Sequence, residues 1–210
     1  MTSTTTRGPI RRAALAAVTV TAALILTACG GDAESASSDA SAASGEEHNA
    51  QDVTFAQGMI PHHRQALQMA ELAADRASST EVKDLAARIE KAQDPEIEKM
   101  TGWLKAWGED VPEEGGSTDE SMPGMDHSGS GGMAGMMDDA EMQTLEKASG
   151  EAFDTAFLTL MVEHHEGAVE MAGTEQDKGS YQPAKDTAED IVTGQTAEIA
   201  EMKELLGKKG

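Results

Sequence analysis

Two stretches of the sequence place a thioether and two imidazoles on one side of a helix. In the first, Met59 lies three residues before His62 and four before His63. The same pattern recurs 102 residues later, in Met161, His164 and His165. Residues three and four apart are neighbours on a helix surface, so either histidine can converge with the methionine on one ion. The spacing therefore predicts a metal site in each stretch.

The donor types narrow the choice of ion. Thioether sulfur and imidazole nitrogen together favour Cu(I), with Ag(I) as its mimic, and imidazoles with carboxylates could also bind Cu(II). Calcium and magnesium would require oxygen ligands. Outside the cytoplasm, where thiols are oxidised, methionine can supply the soft donor instead of cysteine. We therefore expect copper ions as the ligand, with Cu(I) favoured.

Other interpretations of these residues stay open. The methionines could simply fill a core, and the histidines could only satisfy neighbouring polar groups or contact a partner in a metal-independent interaction module. A di-metal oxidase is a weaker alternative, because such bundles use Glu-x-x-His pairs and Met59 and Met161 stand three residues before His62 and His164. The sequence contains no convincing nucleophile or phosphate loop, so an enzyme is not expected.

An internal repeat predicts the fold. Residues 52–107 align without a gap with residues 154–209 at 19 identical positions. Each copy has two apolar stripes with helical spacing separated by a turn, and Asn49 and Thr80 are the expected N-caps in the first copy. Two such hairpins can bury their stripes only against each other. This predicts an all-α, ferritin-like four-helix bundle with up-down-up-down topology, built from hairpins at 51–107 and 140–210.

The facing helices carry polar residues on the stripe that should be buried. Counting back from a turn near residue 78 places Gln93 level with His62 and His63, and Glu96 level with Met59. Buried polar groups need partners, so these side chains are candidates to support the metal ligands. The four candidate supporting residues are Gln93, Glu96, Gln195 and Glu198.

The connector between the hairpins, residues 108–139, is longer than the about 2–8 residues that a bundle requires. It is rich in glycine and methionine, and it is either a flexible copper-collecting loop or an ordinary linker. Its candidate metal ligands are Met122, Met125, His127, Met133, Met136 and Met137.

The first 50 residues predict export and anchoring. Residues 1–28 have the basic start and short apolar core of a signal peptide, and Leu26-Thr27-Ala28-Cys29 resembles the lipobox of bacterial lipoproteins. That resemblance implies a lipid on Cys29 and attachment to the outer face of the cell membrane. The segment at 29–50 has too little apolar surface to fold, so it is expected to be a disordered tether. The net charge of -22 excludes nucleic acid as an expected partner, because phosphate binding requires clustered Lys and Arg.

The residues at 55–63, the His-His-x-x-Ala-x-x-Met-Ala runs in both halves and the segment at 93–104 together resemble the family catalogued as domain of unknown function 305. The resemblance implies a ferritin-like bundle and periplasmic copper binding in metal tolerance, with storage or delivery to a copper-handling protein left open. The first repeat has the proline of the family motif at Pro61, whereas the second repeat departs from the motif with Glu163 at the equivalent position. The ligands that the resemblance implies are Met59, His62, His63, Met69, Met161, His164, His165 and Met171.

Overall fold

The computed structural model of the protein describes residues 47–113 and 133–209. These residues form five helices and no strand, and none of the helices described is both long and apolar enough to cross a membrane. Four of the helices are those of the predicted hairpins, whereas the short α3 was not predicted. The helices are α1 (Ala50–Arg76), α2 (Thr80–Trp107), α3 (Asp139–Lys147), α4 (Glu151–Lys178) and α5 (Gln182–Lys209).

The helix starts follow local capping chemistry. Asn49 caps α1, as expected from the sequence, and it also forms a reciprocal capping box with Asp52. The cap of α2 is Ser79 rather than the predicted Thr80, because the Ser79 hydroxyl accepts an N–H of the first turn. Thr80 is instead the first helical residue. The helix α1 begins one residue before the predicted hairpin boundary and runs uninterrupted through Pro61.

An aspartate in each repeat accepts hydrogen bonds from the helix–helix turn of the other repeat. Asp52 in α1 accepts hydrogen bonds from the backbone N–H groups of Ser180 and Tyr181 in the α4–α5 turn. Its equivalent in α4, Asp154, accepts two backbone N–H bonds and one hydroxyl bond from residues 78–79 of the α1–α2 turn. The start of each helix thus meets the end of the other, so α1 and α4 run antiparallel as a central pair. This exchange explains why the aspartate recurs in the repeat.

We expect Asp154→Ala to lower the free energy of unfolding by about 2–4 kcal/mol, because the substitution removes a buried carboxylate that accepts three hydrogen bonds from the α1–α2 turn. Urea unfolding followed by circular dichroism measures this change. Asp177→Ala, at an exposed position of the same helix, is the control and should change stability by less than about 0.5 kcal/mol. Equal stability of the two variants would contradict the capping role of Asp154.

The apolar core consists of two clusters separated by a polar layer. Along α1, one cluster ends at Ile60 and the other begins at Ala66. Along α4 the order is reversed, because this helix is antiparallel to α1. The cluster that contains Ala66 ends there at Val162, and the cluster that contains Ile60 begins at Ala168. Both histidine pairs therefore fall in the gap between the clusters, at the middle of the bundle.

A buried carboxyl pair lies near the start of α1. Glu175, which replaces Ala73 of the first repeat, is fully buried close to Asp52. Burial, followed by hydrogen bonding to Asp52 and repulsion from its charge, raises the pKa of Glu175 to about 8. Burial alone would raise the pKa of Asp52 as well, but the hydrogen bonds that it accepts lower it overall. The pair therefore holds one proton at neutral pH.

This proton makes stability depend on pH. The pKa of Glu175 is higher in the folded protein than in the unfolded chain, so stability should fall as pH rises from about 4.5 to about 8. In Glu175→Gln this loss should disappear, since the amide does not ionise. Urea unfolding of both proteins between pH 5 and pH 9 tests the prediction, and parallel stability profiles would show that Glu175 does not titrate in this range.

Candidate metal centre

The four histidines of the two repeats form one cluster at the centre of the bundle. The rings of His62 and His164 have centroids 3.8 Å apart, with their planes inclined by 41°. The rings of His164 and His165 are 6.3 Å apart, and all four side chains, including that of His63, are fully buried. The sequence predicted one site in each repeat, but antiparallel packing of α1 and α4 brings both pairs together.

A glutamate from each flanking helix orients one histidine of each pair. The Nε2 atom of His63 lies 2.7 Å from Oε2 of Glu96 in α2, and the same distance separates His165 from Glu198 in α5. A carboxylate accepts, so the N–H of each ring is at Nε2 and Nδ1 is left to bind a metal. Carboxylate–imidazole pairs of this kind fix ring orientation and raise the basicity of a metal ligand.

The glutamines do not make the predicted contacts with the histidines. His63 meets Glu96, which lies about one turn further along α2 than the expected partner Gln93. The reason is that side chains lean toward the N-terminus of their own helix, so His63 reaches the level of the preceding turn. Gln93 is buried with neither amide atom hydrogen-bonded, and the Oε1 atom of Gln195 also has no partner.

The end of the connector, residues 133–137, packs across α1 and α4 directly at the cluster, and we call it the strap. The Nε2–H of His62 donates a 3.1 Å hydrogen bond to the carbonyl of Ala134. The Gln65 side chain exchanges two hydrogen bonds with the backbone of Met137, at 2.8 and 2.7 Å. The strap therefore fixes the His62 ring with its lone pair at Nδ1.

Two glycines let the strap lie against α4. A Cβ atom on Gly167 would stand 2.0 Å from the carbonyl oxygen of Ala134, closer than any real contact. Gly135 has φ +80°, and a Cβ there would stand 2.5 Å from the backbone oxygen of Glu163. Only glycine fits both positions. This contact was not predicted. Its only signal in the sequence is a glycine in the middle of a helix, since such a residue costs stability unless close packing requires it.

Burial keeps the central imidazoles neutral. Burial, and then electrostatic repulsion from the His63 ring, lowers the pKa of His62 to about 3. Burial, and then repulsion from His62, lowers the pKa of His164 well below its usual value. The Nδ1 atoms of all four rings and Nε2 of His164 have no hydrogen-bond partner among the described residues. Each buried nitrogen without a partner lowers the stability of the fold by about 1–3 kcal/mol. A metal ion bound to the nitrogens that carry a lone pair would remove this cost.

The predicted methionine ligands lie in different places. Met59 and Met161 are fully buried and begin the turn that leads to the histidines. Met69 is fully buried in the apolar cluster with Val82, whereas Met171 is only partly buried. Of the connector residues, Met133, Met136 and Met137 lie in the strap. The remaining predicted residues, Met122, Met125, His127 and the lipidation site Cys29, lie outside the described part of the chain.

Fold and site together define a class, the helical bundles that hold a buried histidine cluster between two repeated hairpins. The family model for the domain of unknown function DUF305 matches residues 52–206. The chain therefore belongs to the DUF305 family, as the sequence motifs predicted. No curated protein matches the chain significantly.

Solved structures support the same assignment. A DUF305 protein of Streptomyces coelicolor, described as secreted, is 34% identical, with a TM-score of 0.65 over 76% of this chain and 94% of that one. CopM in its Cu(II)-bound form is 33% identical, with a TM-score of 0.63 over 76% of this chain and 97% of CopM. CopM in its Cu(I)-bound form is 30% identical, with a TM-score of 0.60 over 75% and 96%.

Proposed function

We propose that this protein is an extracytoplasmic copper-binding protein, and not an enzyme, which holds Cu(I) between its two helical hairpins. The observation that carries the proposal is the meeting of four buried imidazoles, two from each repeat, whose Nδ1 atoms have no partner among the described residues. A cluster built only for stability would satisfy these atoms, since buried polar groups are normally hydrogen-bonded.

The electrostatics of the cluster support a monovalent soft ion. The lowered pKa values of His62 and His164 keep these rings neutral, so each retains a lone pair for a metal. Glu96 and Glu198 add negative charge near the ligands and balance that of a bound cation. Met59 and Met161 offer thioethers one turn before the histidines, and this donor set favours Cu(I), with Cu(II) and Ag(I) as further ions. CopM, to which the chain is similar, has been solved in separate Cu(I)-bound, Cu(II)-bound and Ag-bound forms.

We place the bundle outside the cytoplasm, tethered through a lipid on Cys29. The signal-like start, the lipobox at 26–29 and the likeness to a protein described as secreted support this location. Outside the cell membrane, a buried cluster of neutral donors would sequester copper for tolerance or hold it for delivery to another protein. The acidic surface would concentrate cations near the bundle.

Competition with a Cu(I) chelator under anaerobic conditions tests the proposal. The full chain should retain Cu(I) at chelator concentrations that strip a variant with His62, His63, His164 and His165 all changed to alanine. His48→Ala is the control, because this imidazole stacks on Trp107 at 4.3 Å and lies outside the cluster. The control should retain copper as the unchanged protein does.

Equal copper retention by the fourfold variant would overturn the proposal and favour the metal-independent interaction module. Circular dichroism of the variant must accompany the measurement, since loss of helix content would also release copper. A variant with only His62 and His164 changed provides a milder second test, because it keeps both glutamate–imidazole pairs.

A further inference from the structure

Two methionine sulfurs lie beside Gly58 of α1, at a place that the imidazole cluster does not use. Gly58 lies one turn before His62, and a Cβ atom there would stand 3.5 Å from Sδ of Met133 and 3.8 Å from Sδ of Met171. Both thioethers therefore lie within 4 Å of one point. One comes from the strap and the other from α4, so this contact joins the connector to the bundle.

The second half of the internal repeat has no equivalent of this contact among the described residues. Leu160 occupies the position that is equivalent to Gly58, and Met69 is the equivalent of Met171. Met69 is fully buried within apolar packing, whereas Met171 is partly buried. A Cβ atom at position 58 would be in ordinary van der Waals contact with both sulfurs, whereas the leucine at position 160 is larger.

The two sulfurs lie next to the imidazole cluster. Met133 precedes Ala134, whose carbonyl accepts the hydrogen bond from His62. A soft ion held by the two sulfurs would therefore lie beside the strap residue that contacts the cluster. Methionine side chains are flexible, so they can close on an ion by rotation of their own torsions.

We propose that Met133 and Met171 together form a second site for a soft monovalent ion, Cu(I) or Ag(I), which receives the ion at the strap before it passes to the imidazoles. This inference rests on the proposed copper binding for its role in transfer, but the binding at the two sulfurs stands separately. Thioethers are neutral and soft donors, so this site should discriminate against Zn(II) and other harder ions.

Titration of the full chain, labelled with carbon-13 in the methionine methyl groups, tests the pair with Ag(I) as a redox-inert probe. The methyl resonances of Met133 and Met171 should shift together, at the same ratio of Ag(I) to protein. In Met133→Leu, the shift of Met171 should be lost. Met69→Leu, at the equivalent position in the first repeat, is the matched control and should leave both shifts intact.

An unchanged Met171 shift in Met133→Leu, or shifts of the two methyls at different Ag(I) ratios, would overturn the proposed pair. The same titration of His62→Ala/His164→Ala separates this proposal from the proposed function. The two methyls should still shift in that variant, whether or not its copper retention falls. Loss of the methyl shifts in this variant, with helix content preserved, would overturn an independent thioether site.

Discussion

Replacing His164 alone with alanine should weaken Cu(I) binding of the whole chain by at least about 100-fold. Loss of a group that merely supports a ligand costs about 10–100-fold in metal affinity, so loss of a ligand should cost at least the upper value. The effect should extend to both repeats, because the His62 and His164 rings are 3.8 Å apart and belong to one cluster. Anaerobic chelator competition gives the affinity and the number of ions bound.

Two independent sites would behave differently. The first repeat would then keep one Cu(I) with unchanged affinity in His164→Ala, and only the stoichiometry would fall. His62→Ala supplies the reciprocal measurement, and the two variants should be weakened alike. A full-affinity site that survives in either variant would contradict the single cluster.

The substitution Gly167→Ala should detach the strap from α4. The new Cβ would stand 2.0 Å from the carbonyl oxygen of Ala134, and the atom in conflict is backbone, which cannot rotate away. The strap must shift, so the bonds from His62 to Ala134 and from Met137 to Gln65 should weaken. Hydrogen exchange should then show at least about tenfold faster exchange of the Met137 amide, as expected for local opening.

Gly173→Ala is the matched control, because it lies in the same helix and a Cβ there would meet nothing within 4 Å. It should stabilise the helix slightly, since alanine is the better helix former. Unchanged protection of the Met137 amide in Gly167→Ala would mean that the strap does not depend on this close approach.

The internal repeat predicted much of the fold. Apolar residues at helical spacing gave the four long helices, and because each hairpin has an apolar stripe, the bundle followed. The position of Asn49 gave the first cap. The helix α3 was missed because its nine residues carry only one buried apolar side chain, Leu145, too little for a periodic pattern.

The site was harder to predict, because its arrangement depends on how two repeats pack. The spacing of Met59 from His62 and His63 indicated a shared face, but nothing in one hairpin shows that the second pair lies against it. The strap depends on two glycines and a backbone carbonyl, which have no recognisable motif. The register error at Gln93 arose from the direction in which side chains lean on a helix, which counting residues ignores.

X-ray absorption at the copper edge of the Cu(I)-loaded protein tests the central claim most directly. Imidazole scattering from at least two histidines around one copper ion is expected, and it should be lost in the variant with His62, His63, His164 and His165 all changed to alanine. A copper environment made only of sulfur or oxygen, and unchanged in that variant, would contradict it.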